Sequence, residues 1–138
     1  MTTTVISLKG RIHEYGPCLE RVTDALVYVG RTMTGVRAGG WQLHKHPLAN
    51  PFTLRQTGTP EAAVAAYIRH LLDRPALLAA AAQLRDRTLA CWCAPQLCHA
   101  HAIAWYADSL DSGRLAERAA DLEAAASRGE AALFERLA

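Results

Sequence analysis

Thr88-Leu89-Ala90-Cys91-Trp92-Cys93-Ala94-Pro95-Gln96-Leu97-Cys98-His99-Ala100-His101-Ala102-Ile103-Ala104-Trp105-Tyr106 is the stretch that decides the fold. Its first five residues form a short apolar run of the length and type of a buried strand. Ala94-Pro95 breaks the run, because proline cannot continue a sheet ladder. A helical pattern resumes at Leu97 or Cys98. Three of the four cysteines and two of the six histidines fall between positions 91 and 101. A strand, a tight turn and a helix N-terminus in succession put reactive side chains at the carboxyl end of a strand, where open α/β folds bind ligands.

Upstream of Thr88 the sequence signals two helices. Thr59-Pro60-Glu61 starts the first, with Thr59 as N-cap, Pro60 at the first helical position and Glu61 near the positive end of the dipole. Val64, Tyr67, Ile68 and Leu71 then make one apolar stripe. Asp73-Arg74-Pro75 breaks it and opens a second helix with Leu77, Leu78, Ala81 and Leu84 on its face. Further upstream, Ala25 to Gly30 is nearly all apolar and suits a strand covered on both faces. Gly30-Arg31 follows at its carboxyl end, where glycine permits a sharp turn or close approach of a ligand. Arg31 there is either a surface charge or an anion clamp. Thr3 to Leu8 is β-branched and apolar, and predicts a first strand. Cys18, between these strands, reads as a small semi-buried residue.

Between the second strand and the first predicted helix, residues 32–58 show no periodicity and form a long irregular loop. Its apolar content (Trp41, Leu43, Leu48, Phe52, Leu54) argues that it packs, and Asn50-Pro51-Phe52 reads as a turn anchored by phenylalanine. His44 and His46 lack the neighbouring cysteine or carboxylate that a metal site would need. Downstream, residues 114–137 read as a final amphipathic helix, bent near Gly129. That helix is either part of the domain or a homodimer arm.

The bulk composition agrees with one globular domain. At 138 residues, 51% apolar and 20% charged, the chain can bury a core of its own. A net charge of +2 is too small to indicate nucleic acid as partner. No apolar run approaches the ~20 residues of a membrane helix, and residues 1–5 show no leader pattern. The expectation is a cytoplasmic protein with no membrane partner, in which clustered cysteines act as ligands, nucleophiles or core residues rather than as disulfides.

Val27-Tyr28-Val29-Gly30-Arg31, Asn50-Pro51-Phe52, Leu89 to Pro95 and Cys98-His99 together resemble the bacterial and phage family known as domain of unknown function 4326. The resemblance covers roughly residues 3–110, and the CWCAP and Cys-His block is its most specific part. It implies a small α/β domain and no particular reaction. The chain departs from the family pattern at Ala100, where glycine is usual, and at Leu48-Ala49, where Trp-Gly usually precedes the Asn-Pro-Phe turn.

Three chemistries are open to the cysteine block. Cys91, Cys93, Cys98, His99 and His101 exceed the four ligands that zinc requires. Alternate residues of a strand lie ~6.6 Å apart along it, whereas two sulfurs on one zinc can be at most ~4.6 Å apart. Cys91 and Cys93 can therefore share a metal only after the strand has turned, and zinc is not favoured. In the second reading Cys98, at a helix N-terminus, is an activated thiol with His99 as proton partner and Cys93 as resolving cysteine. The same amides would hold an anion, with Arg31 adding charge. In the third reading the cysteines are core residues; Cys91 fits this best, with Trp92 on the opposite face.

These readings combine into an α/β domain of three layers, a mostly parallel sheet flanked by helices. The expected function is binding of a small anionic or nucleotide-like ligand, with Cys98, His99 and Cys93 in thiol chemistry of an enzymatic kind. Gly30, Arg31, Asn50 and Phe52 would line the ligand. The alternative is a non-enzymatic zinc-binding or protein-interaction module.

Overall fold

Thr88–Cys91 is the central strand of a three-stranded parallel sheet in a computed structural model of the chain. The structure describes residues 3–15, 26–92 and 98–110, and eight helical positions between 117 and 137. Cys18, Cys93, Ala94-Pro95 and Gly129 lie outside the described residues. We label the strands β1 (Thr4–Ser7), β2 (Leu26–Tyr28) and β3 (Thr88–Cys91). β3 pairs with β1 in the register Thr4 to Thr88 and Ser7 to Cys91, and with β2 in the register Leu26 to Thr88 and Tyr28 to Ala90. The ladders run one residue past the strand ends, through Leu8 N–H to the Cys91 carbonyl at 2.7 Å and Val29 N–H to the Ala90 carbonyl at 3.2 Å.

The near-continuous apolar run of β3 follows from burial on both of its faces. Leu89 and Cys91 enter a larger core with Val64, Tyr67, Ile68, Leu71 and Ile103. Ala90 faces a smaller core with Leu8, Ile12, Leu26, Tyr28 and Leu43, and Trp92 and Trp41 pack along its edge. Trp92 is thus on the opposite face from Cys91, as the period of two requires.

After a short helix α1 (Leu54–Thr57), the helices α2 (Pro60–Leu72), α3 (Pro75–Ala82) and α4 (His99–Ser109) cover the larger core. Thr59 caps α2 through its hydroxyl, which accepts the Ala62 N–H at 3.1 Å, and Pro60 occupies the first turn. The predicted stripe of Val64, Tyr67, Ile68 and Leu71 is buried throughout. A helical turn at 12–15 and the loop after β2 cover the other face. That loop is more regular than its sequence suggests. Met33 and Leu43 form an antiparallel bridge around a 3-10 turn at Gly35–Ala38, and α1 lies near its end.

At the amino edge of the sheet, three segments meet on Thr3. Its N–H and hydroxyl donate to the Asp108 carboxylate (2.8 to 3.2 Å), and its hydroxyl accepts the Asp86 N–H at 3.0 Å. Asp86 turns the chain into β3 with a left-handed φ of 62°. At the carboxyl edge the chain diverges. β1 and β2 lead to segments of the smaller core, whereas β3 leads to α4 in the larger one. Adjacent parallel strands that exit to opposite faces leave a crevice beyond their carboxyl ends. No helix among the described residues is long and apolar enough to cross a membrane.

Candidate functional site

Cys98 is the N-cap of α4, with extended backbone (φ −139°, ψ 156°), and His99 is the first residue of that helix. Both side chains are buried. His99 Nε2 lies 2.7 Å from the Val29 carbonyl, just past the end of β2. A carbonyl only accepts, so Nε2 carries the ring proton. That leaves Nδ1 as an acceptor, 3.4 Å from the Cys98 sulfur. The Cys98 thiol therefore donates to an imidazole whose tautomer the sheet fixes. The edge of the Tyr67 ring packs on His99 at 5.1 Å between centroids, and the Tyr67 hydroxyl donates to the Leu48 carbonyl at 2.7 Å. Burial pushes the Tyr67 phenol well above its ordinary range.

His99 is pushed down to about 4, first by burial and then by the charges of Arg31, His101 and His46; its bond to Val29 opposes the shift. His101, in the first turn of α4, accepts the Cys98 backbone N–H on Nδ1 at 3.0 Å. This is the helix-capping role that Glu or Gln fills at the same position elsewhere. His46 accepts the Leu48 N–H on Nδ1 at 3.1 Å, and its backbone N–H donates to the Gly30 carbonyl at 3.2 Å. Burial lowers the pKa of both rings.

Arg31 leaves the end of β2 and turns to the Asn50-Pro51-Phe52 turn. Its Nε and Nη2 donate to the Asn50 carbonyl at 2.9 and 2.8 Å, and Nη2 reaches the Phe52 carbonyl at 3.2 Å. The turn closes on itself where the Phe52 N–H donates to Asn50 Oδ1 at 3.0 Å. The Gly-Arg pair and the Asn-Pro-Phe turn are therefore one structural unit, with Nη1 outside these bonds. Only glycine fits at position 30, since a Cβ there would run into the Tyr28 phenol. The Tyr28 hydroxyl donates to the Arg31 carbonyl at 2.7 Å and accepts from Trp92 Nε1 at 3.1 Å.

The structure thus brings Cys98 and His99 into contact and puts Gly30 and Arg31 on the same sheet edge. Asn50 joins them through its carbonyl, as does Phe52, which also meets the edge of His70 at 5.7 Å. Cys93 lies outside the described residues. Cys91 is a core thiol whose sulfur lies 3.6 Å from the Ile6 carbonyl. Sequence reasoning missed His46, Tyr67 and the Val29 carbonyl. Tyr67 reads only as one member of an apolar stripe, and a backbone acceptor leaves no mark in a sequence. Among the described residues no group of three or more His, Cys, Asp or Glu side chains is disposed to hold a metal ion.

Comparison with known proteins adds a family and no activity. The chain is 33% identical over 72 residues to an uncharacterized protein of Acanthamoeba polyphaga mimivirus, a match that covers 52% of this chain and 52% of that one. The chain therefore spans about half the length of this curated relative. No solved structure matches the chain. The model of the family described as domain of unknown function (DUF4326) matches residues 18–109, which hold β2, β3, the Asn-Pro-Phe turn and the Cys98-His99 pair, and the chain belongs to that family.

Proposed function

We propose that this domain binds a small anionic, nucleotide-like ligand at the carboxyl edge of its sheet, and that the adjacent Cys98-His99 pair carries thiol chemistry on it. One observation supports this reading above others: the Arg31 guanidinium, held past the carboxyl end of β2 by the Asn50 and Phe52 carbonyls, stands on the sheet edge where His99 meets the Val29 carbonyl. A fixed positive charge beside low-dielectric walls concentrates anions. The crevice beyond diverging parallel strands is where α/β folds take ligands of this class. Cys98 and His99 meet the geometric requirement for a nucleophile and its base, with the base in turn oriented by a third group.

Isothermal titration calorimetry of the full chain with inorganic phosphate and with nucleoside monophosphates tests the binding step. Saturable binding that weakens as salt is raised is expected. Absence of heat with every anion, in a folded sample, would remove the ligand half of the proposal.

A further inference from the structure

The Cys98 contact depends on how the His99 ring is turned, because only Nδ1 offers the sulfur an acceptor. The terminal torsion of a histidine is broad and roughly two-fold. A half-turn about it would carry Nδ1 away from Cys98 and Nε2 away from Val29. Two neighbours act against that turn. From the sheet, the Val29 carbonyl accepts Nε2–H at 2.7 Å. From α2, the Tyr67 ring meets the imidazole edge to face, with centroids 5.1 Å apart and planes at 71°.

Position 67 does not need tyrosine for bulk alone. Val64, Ile68 and Leu71 fill the rest of the stripe with aliphatic side chains, all of them buried. Tyr67 is fully buried among them, and a buried phenol needs a hydrogen-bond partner for its hydroxyl. That partner is the Leu48 carbonyl at 2.7 Å. The bond ties the ring to the segment just before Asn50, whose carbonyl Arg31 holds at 2.9 and 2.8 Å. Tyr67 thus presents a flat edge, anchored through its hydroxyl, and His99 lies against it.

We propose that Tyr67 is the positioning residue of the Cys98-His99 pair. Its ring edge keeps the imidazole turned so that Nδ1 faces the Cys98 sulfur and Nε2–H faces Val29. This rests on the thiol reading above and assigns to a residue of α2 the alignment that reading requires. Tyr67 exchanges no proton in this role: its own stays in the bond to Leu48.

Ring 15N shifts of His99 in the full chain near neutral pH test this, since they report which nitrogen is protonated and whether one arrangement or two is populated. The unsubstituted chain should show one tautomer, with the proton on Nε2. Tyr67→Phe keeps the ring edge and should keep that tautomer, although it loses the Leu48 bond and lowers the urea midpoint. Tyr67→Leu and Tyr67→Met keep apolar bulk without an edge. In whichever of them folds, the Nδ1 and Nε2 signals should move toward each other as two arrangements average. A purely structural tyrosine would lower the urea midpoints and leave the ring signals where they are. That result would overturn the positioning role while the thiol reading stands. An equal move in Tyr67→Phe would overturn it as well, because the edge is then not what holds the ring. If the unsubstituted chain already shows two averaged tautomers, the pair is not oriented and both readings fall together.

Discussion

His99 spends both ring nitrogens on hydrogen bonds, one to the Val29 carbonyl and one to the Cys98 sulfur. Burial makes the ring resist protonation, which ties its titration to the stability of the fold. Its folded pKa is pushed down to about 4, against an ordinary value of about 6.5. Above pH 6.5 the ring is neutral whether the chain is folded or unfolded, and it imposes no penalty. As pH falls from 6.5 toward 4, the unfolded ring binds a proton that the folded ring refuses. Stability should then fall by up to about 1.4 kcal/mol per pH unit from this group, levelling off below the folded value. His46 and His101, also lowered, act in the same direction. Urea midpoints from pH 7.5 to 4.5 should show the decline, and His99→Gln should make it shallower. An equally steep slope in that variant would mean that His99 is not the buried neutral ring described above. The sequence marked His99 as a proton partner from adjacency alone. Adjacency could not reveal that its other nitrogen faces a carbonyl from a strand 70 residues earlier.

At the scale of elements, the strand and the helix within positions 88–109 were the most legible part of the chain. The apolar run became β3, and the helix began at Cys98 and His99 because the extended Cys98 backbone caps it. The prolines at 60 and 75 marked both preceding helix starts, for the ordinary reason that their missing N–H and fixed φ cost nothing there. The loop after β2 was legible only as packed. Its order comes from long-range bonds, Arg31 to the Asn50 and Phe52 carbonyls and Tyr67 to the Leu48 carbonyl, which no local pattern encodes. The α4 cap yields a prediction of its own. His101→Ala removes the acceptor for the Cys98 N–H and should cost about 1 kcal/mol, read as a lowered urea midpoint. His101→Gln, whose side-chain oxygen can take the same bond, should recover most of that loss. Equal loss in both variants would show that the imidazole matters for packing and not as a cap.

For the molecule as a whole, alternating apolar runs and helical stripes were enough to read a parallel α/β sheet with cover on both faces. They could not give the strand order, because β1 and β2 are separated in space by a strand that comes some 60 residues later in the chain. That order is what makes the site: placing β3 between its neighbours brings the amino terminus of α4 against the end of β2, so that Cys98, His99, Val29 and Arg31 share one edge. The central claim is that this edge carries an oriented thiol-imidazole pair, whereas Cys91, buried at the end of β3, is core. Iodoacetamide labelling of the full chain against pH, read residue by residue from peptide masses, tests it most directly. Cys98, at the amino terminus of α4 and with a base on its sulfur, should label faster than Cys91 near neutral pH. His99→Gln should slow Cys98 by about tenfold or more while leaving Cys91 as it was. If Cys91 labels as fast as Cys98, or if Cys98 labels at the same rate with and without the imidazole, the pair is a packing contact and the account of the site is wrong.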